Sequence, residues 1–342
     1  MKIYDIHEND ANQRLDKFLK KLFPLATRSL IYKINRKGKI KISSKIAENI
    51  FSKKDNEYKL QIWDKVKIFL SDDDFKTLSE NITLEKNTKE VLNLKDKITK
   101  KDIVYEDADL LVLNKNPWIN VHPWDHRTKE ISIINQVHDY LPDKLNSLTF
   151  KPSLIHRIDR DTSWILLIAK KKDILTKLWE DFKKSEKWKI NKTYIAYVFW
   201  RLSNKTWTIK DKLLRIEDAK SENKVQVSTK WQEAITHYKV IWEYTLKTKE
   251  GDLVISEVEV NIETWRMHQI RVHLSHIWNP VIMDDKYWNK KLNSYIEKNF
   301  WLKRQALHSS KIEFFHYWHN KKITLIANLK DDMKDFLEKI KK

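Results

Sequence analysis

The chain contains no cysteine, which excludes disulfides, iron–sulfur clusters, thiol nucleophiles and thiolate zinc sites. No apolar run approaches the roughly 20 residues that cross a bilayer. The start, Met1-Lys2-Ile3-Tyr4-Asp5-Ile6-His7-Glu8, lacks the long apolar core of a secretory signal. A soluble, cytoplasmic protein without membrane partners is expected. Glycine is almost absent: there are 2 in 342 residues, where average usage of about 7% gives roughly two dozen. There is no glycine-rich phosphate loop and no Asp-Phe-Gly triplet, so kinase chemistry does not fit.

Tryptophan is in surplus, with 15 residues. Several stand where neighbours spell turns: Pro117-Trp118, His122-Pro123-Trp124-Asp125, Ile62-Trp63-Asp64 and Glu263-Thr264-Trp265-Arg266. Turns need residues that tolerate positive φ, and glycine alone does so without steric cost. Two readings compete: genuine indoles that stack on bases, or glycine codons written as tryptophan because UGA is translated under the wrong code. The matched deficit and surplus favour the second. Trp179 and Trp242 lie in apolar patterns and need no such account.

Lys and Arg number 67 against 48 Asp and Glu, a formal charge of +19, and hydrophobic residues make up 41% of the chain. At this length two domains are expected. Apolar residues at 15, 18, 19 and 22 mark a helix face before Pro24, and a second helix runs from about Arg28 to Lys37, with Gly38 as its stop. Ile40 and Ile42 then alternate with lysines as a strand. From Lys17 to Lys45 there are ten basic and no acidic residues, the footprint of a phosphate-binding surface. Arg28, Lys33, Arg36, Lys37 and Lys39 are its candidate RNA contacts. Residues 1–70 read as a basic domain, 71–100 as a polar linker, and 101–342 as a strand-rich second domain. There, Val258, Val260 and Ile262 alternate with polar residues as a half-buried strand.

Two polar segments could carry chemistry. The first is His156-Arg157-Ile158-Asp159-Arg160-Asp161-Thr162-Ser163-Trp164, which runs into the apolar Ile165-Leu166-Leu167-Ile168-Ala169. A loop entering a buried strand is a rigid mount for a carboxylate among guanidinium groups, although a surface salt-bridge cluster has the same composition. The second is Thr264-Trp265-Arg266-Met267-His268-Gln269-Ile270-Arg271-Val272-His273, with Asp284-Asp285-Lys286-Tyr287-Trp288 downstream. His268, His273 and His276 lack a metalloenzyme motif and favour structural or RNA-contacting roles, so no metal is expected. Only 11 of the basic residues are arginine, yet Arg157, Arg160, Arg266 and Arg271 fall in these segments, where two-pronged bonding to carboxylate or phosphate would matter. A glycosidase using Asp159 and Asp161, or a non-catalytic ribosome-associated RNA binder, are the other readings.

Residues 156–170 resemble the His-Arg-Leu-Asp-(Arg/Lys)-Asp-Thr-Ser-Gly-Leu-Leu-Leu signature of the RluA-type pseudouridine synthases, with Ile158 for Leu and Trp164 for Gly. Residues 264–276 resemble the same family's Thr-Gly-Arg-Thr-His-Gln-Ile-Arg-Val-His, with Trp265 for Gly and Met267 for Thr. Asn114-Lys115-Asn116-Pro117-Trp118, Lys192-Thr193-Tyr194-Ile195-Ala196 and Gln305-Ala306-Leu307-His308 are similar to further family segments. Residues 12–68 resemble the S-four-like RNA-binding domain.

The resemblance implies an α+β fold with a mixed, mainly antiparallel central sheet flanked by helices, plus the small N-terminal α/β domain. It implies isomerisation of uridine to pseudouridine in large-subunit ribosomal RNA or its precursor, with no cofactor. Independently of the resemblance, a monomer is the default expectation. By the same resemblance Asp159 is the essential carboxylate, Arg271 its partner and Tyr194 the ring that stacks on the uracil. Arg157 would brace the gap left by a flipped base, and His156, His268 and Gln269 would join it at the substrate.

Overall fold

The computed structural model describes residues 1–341 except 45–46, 48–49, 80–96, 123–130, 142–146, 157, 185–189, 217–223 and 289. Two compact units form. One comprises Met1–Ile98, Ile134–Ser153 and Lys170–Asp173; the other comprises Thr99–Ile133, Leu154–Ala169 and Ile174–Lys342.

In the first unit β1 (Lys2–Asp5), α1 (Leu15–Leu22), α2 (Arg28–Arg36), β2 (Ile40–Ser43) and β3 (Lys65–Ile68) share one core, with the strands in the antiparallel order β1-β3-β2. The helices form because Leu15, Phe18, Leu19 and Leu22 of α1, and Ile31 and Ile34 of α2, fall on buried faces. The Thr27 side chain caps α2 by accepting from Leu30 N. Gly38, at φ +71°, ends it: its N–H reaches Asn35 O and that of Lys39 reaches Ile34 O, the paired bonds of a left-handed helix stop. Of the segment read as a linker, Asp72–Ser79 is helix α3, and residues 80–96 lie outside the described residues.

The second unit starts with β4 (Ile103–Glu106) and β5 (Leu110–Lys115). Along the chain α4 (Ile133–Tyr140) follows, almost all of it in the first unit, and then β6 (Ser153–Leu154), β7 (Trp164–Ala169) and α5 (Lys172–Lys184). The strands form a sheet of order β4-β5-β7-β6. Ile165, Leu166, Leu167 and Ile168 of β7 are fully buried, each worth about 1.5–3 kcal/mol over exposure. That burial anchors the loop entering β7.

Then come β8 (Ile190–Phe199), β9 (Thr206–Arg215), β10 (Val225–Ser228), β11 (Gln232–Thr248) and β12 (Gly251–Ile262). They are followed by α6 (Gln269–His276), α7 (Lys290–Phe300), β13 (Leu307–His316), β14 (Lys321–Ile326) and α8 (Asp331–Ile340). The larger sheet has the order β10-β9-β11-β12-β8-β13-β14, antiparallel throughout. The fold is α+β, as expected. No helix among the described residues is long and apolar enough to cross a membrane.

Ten described non-glycine residues have positive φ, and six of them are tryptophans: Trp63 (74°), Trp118 (70°), Trp200 (66°), Trp231 (124°), Trp278 (65°) and Trp301 (63°). Trp278 stops α6 with Trp278 N to Ser275 O and Asn279 N to Leu274 O, the position where helices ordinarily carry glycine. Trp301 stops α7 in the same conformation. Trp124 lies outside the described residues. Trp179 and Trp242, read as apolar-pattern positions, are exposed.

Candidate active site

The loop ahead of β7 carries Asp159 and is held from several sides. Lys115 Nζ donates to the carbonyls of Arg160 (2.8 Å), Asn116 (2.8 Å) and Ile119 (3.0 Å). Arg304 Nη2 donates to Ser163 Oγ at 3.2 Å, and the guanidinium is paired with Asp332. His308 donates from Nε2 to Ala327 O, so its Nδ1 accepts the Ser163 hydroxyl at 2.8 Å. Buried polar groups that satisfy one another in this way fix a loop to a single geometry.

Asp159 and Arg271 meet at 2.8 Å through Arg271 Nη1, although 112 residues separate them. The other edge of the guanidinium is held by Asp284, Nε to Oδ2 at 2.7 Å and Nη2 to Oδ1 at 2.8 Å. The Asp284 side chain is fully buried and that of Arg271 is 7% exposed, whereas Asp159 keeps 25%. The site is thus a two-pronged buried pair with a second, accessible carboxylate on the remaining nitrogen.

His268 sits at φ 54°, just before α6. Tyr287 Oη accepts from Val225 N, which leaves its own proton for His268 Nδ1 at 2.7 Å. The Nε2–H edge of His268 then faces Asp159 Oδ1 at 3.7 Å. Burial lowers the His268 pKa to about 4, so the ring is neutral at pH 7. Burial pushes the Asp159 carboxyl up, but the His268 and Arg271 electrostatics and the hydrogen bonds outweigh it and hold the carboxyl below its usual range. With His268 neutral, Arg271 supplies the fixed charge. Despite its burial, the two carboxylates raise the Arg271 pKa.

Tyr194, on β8 between Val260 and Ser309, is 2% exposed. Burial and the Asp159 charge keep its phenol protonated. Its ring meets Trp164 edge-on at 4.7 Å, and Trp164 meets Trp265 at 5.0 Å.

The other sequence-predicted residues scatter in role. His156 is a buried, neutral ring stacked on Phe182 at 4.8 Å, and its Nε2 accepts from Leu167 N. Burial lowers its pKa to about 3. Gln269 uses its amide inside the fold: Oε1 accepts from Thr264 and Arg266, and Nε2 donates to Ile235 O and Thr236. Arg157 lies outside the described residues. Lys33, Arg36, Lys37 and Lys39 are exposed on and after α2, and Arg28 lies over the Tyr32 ring. Sequence reasoning gave no role to Asp284, Tyr287, Lys115 or Arg304. For Arg304, the scarcity of arginine was a usable signal.

Residues 109–276 match a family model described as RNA pseudouridylate synthase. The chain is 33% identical to Ribosomal large subunit pseudouridine synthase C of Buchnera aphidicola subsp. Baizongia pistaciae, over 95% of this chain and 93% of that one.

The chain belongs to the RNA pseudouridylate synthase family.

As a member it is an isomerase. The synthase is also 32% identical to the protein of the same name from Buchnera aphidicola subsp. Schizaphis graminum, over 97% of this chain and 95% of that one. In fold it is similar to Human RNA Pseudouridylate Synthase Domain Containing 4, with a TM-score of 0.55 at 20% identity, over 76% of this chain and 98% of that one.

Proposed function

We propose that the chain converts uridine to pseudouridine in large-subunit ribosomal RNA or its precursor, with Asp159 as the ionised carboxylate at the ribose. The reaction breaks the N1–C1′ bond, turns the uracil and joins C5 to C1′. A proton leaves C5 and one ends on N1, so nothing is exchanged with a co-substrate. The observation that carries this reading is the 2.8 Å contact of Asp159 with an arginine locked from behind by Asp284. A carboxylate kept charged in a partly buried site serves as nucleophile or as stabiliser of positive charge at C1′.

In this reading the target nucleotide flips out of its stack, because the reacting atoms are inaccessible within a helix. Arg157 braces the vacancy, Tyr194 lies against the uracil, and His268 orients the Asp159 carboxylate. His156 and Gln269, buried and bonded within the fold, shape the substrate site through the segments they hold. The S-four-like domain, residues 1–70, anchors RNA through Arg28, Lys33, Arg36, Lys37 and Lys39, and the enzyme works as a cytoplasmic monomer. Incubation with transcribed large-subunit ribosomal RNA, followed by chemical mapping of pseudouridine, tests the reading. No new pseudouridine on free RNA or on ribosome precursors would reject it.

We further infer that most tryptophan positions are glycine in the protein as its own cell makes it, with UGA read there as glycine. Six tryptophans at positive φ support this, because an L side chain there is strained and glycine is not. Trp164 Nε1 and Trp288 Nε1 are buried without a hydrogen-bond partner among the described residues, and buried indoles normally find one. Trp164 also fills the space beside Tyr194, and Trp265 packs behind it on Trp164; glycines there would leave room for a base. Reading the gene tests it: UGG at all these codons would refute the inference.

A further inference from the structure

Away from the Asp159 loop, the tip of the β13–β14 hairpin meets the β4–β5 turn. Asp107, in that turn, is fixed by its own backbone surroundings. Its Oδ1 accepts the N–H groups of Asp109 and Leu110, each at 2.8 Å, which aims Oδ2 outward. Oδ2 lies 2.9 Å from His316 Nε2 and 3.3 Å from His319 Nε2, and the Tyr105 hydroxyl donates to it at 2.7 Å. The ligand atoms of Asp107, His316 and His319 all lie within 4.8 Å of one another. The His316 side chain is 1% exposed and that of His319 is 39%, so the cluster has a buried floor and an open mouth.

We propose that Asp107, His316 and His319 form a three-ligand site for a divalent transition-metal ion of the zinc class, which clasps the hairpin to the turn. Bonds of about 2.0–2.2 Å place neighbouring ligand atoms about 2.8–3.5 Å apart in four- to six-coordinate geometry, and the 2.9 and 3.3 Å spacings from Oδ2 fall in that range. Two imidazoles with one carboxylate suit zinc and its neighbours, whereas magnesium and calcium take oxygen sets. The backbone donors on Oδ1 are the outer contacts that orient a coordinating carboxylate. The remaining position opens towards the Tyr105 hydroxyl, which lies 3.5 Å from His319 Nε2, and a water there completes the set.

Coordination through His316 Nε2 requires the proton on Nδ1. The long 3.4 Å contact from His319 N to that atom is then given up, the loss of one weak hydrogen bond. In return, the ion ties together positions more than 200 residues apart in the chain. It holds only in the folded state and so stabilises by mass action. The uridine reaction makes no use of this cluster. The sequence offered no sign of it, because Asp107 is remote from His316 and His319 and no compact metal motif joins them.

The test uses the full chain, stripped with a chelator and titrated with zinc chloride by calorimetry, and with cobalt(II) by visible absorption. The expected result is one equivalent of zinc bound with proton release, tetrahedral-type cobalt bands and a higher melting temperature. In H319A, whose side chain is partly exposed, and in D107N the affinity falls by about tenfold or more and the zinc-dependent rise in melting temperature disappears. H319A keeps the proposal testable if D107N does not fold. Absence of saturable binding to the wild type, or an unchanged affinity in H319A, overturns it.

Discussion

Arg271 divides its guanidinium between two carboxylates. Asp284 takes the Nε and Nη2 edge in a fully buried pair, and Asp159 takes Nη1 at 2.8 Å while keeping a quarter of its side chain accessible. The first carboxylate fixes the arginine and the second is fixed by it. Only the second can meet a substrate.

Asp159→Asn keeps the shape and removes the charge. Pseudouridine formation should fall by about a thousandfold or more, the scale on which positioned charges act in transition states, while RNA affinity stays within about twofold. A release assay and a filter-binding titration measure the two. Turnover close to wild type would take Asp159 out of the reaction.

Asp284→Asn leaves Arg271 buried with one charged partner fewer. Breaking a buried pair costs about 3–5 kcal/mol, so a lower denaturation midpoint should accompany reduced turnover. Arg271→Lys cannot bridge both carboxylates and should lose activity although its charge is kept. If Asp284→Asn melts and turns over like the wild type, the backing role is wrong.

Four buried imidazoles govern acid stability. Burial lowers His156 to about 3 and His268, His273 and His308 to about 4, against about 6.5 in the unfolded chain. Between these values the unfolded state binds more protons, so stability rises with pH. It should be complete above about pH 6.5 and drain away down to about pH 4. Asp159, lowered when folded, adds stability present above about pH 4 and lost as the pH falls through its folded value. Melting curves from pH 4 to 8 check the sign; a flat profile contradicts it.

Lys→Glu changes at Lys33, Lys37 and Lys39 together should weaken RNA binding and make log K against log salt shallower. About 0.7–0.9 of slope is lost per phosphate contact removed. An unchanged slope would show that α2 and its exit do not face RNA.

Trp278→Gly and Trp301→Gly should each stabilise the protein by about 1 kcal/mol, the cost of a left-handed L residue, read as a higher melting temperature. Trp164→Gly with Trp265→Gly should raise turnover, because Trp164 stands against Tyr194 and Trp265 packs on Trp164. Equal or lower melting temperature in the helix-stop variants would count against glycine at those places.

The sequence by itself determined α1 and α2, since their apolar spacing and the stop at Gly38 are local properties, whereas α3 fell in a segment read as linker. It also determined the buried β7, the half-buried β12 and the type of chemistry, through the motif around Asp159 and the one around Arg271. Turn context likewise marked Trp63 and Trp118, which the backbone places at positive φ, but it did not single out Trp200, Trp231, Trp278 and Trp301, nor is Trp265 among the positive-φ residues. Only the tertiary structure decided the partnerships. Asp284 behind Arg271, Lys115 beneath the Asp159 loop, Tyr287 on His268 and the meeting of Asp107 with His316 and His319 all join residues from separate elements. Pattern reading also cannot tell that Gln269 spends its amide within the fold and that His156 lies stacked on Phe182. Periodicity and turn chemistry act over a few residues, whereas the charge, burial and orientation of a side chain depend on whichever distant segment packs against it.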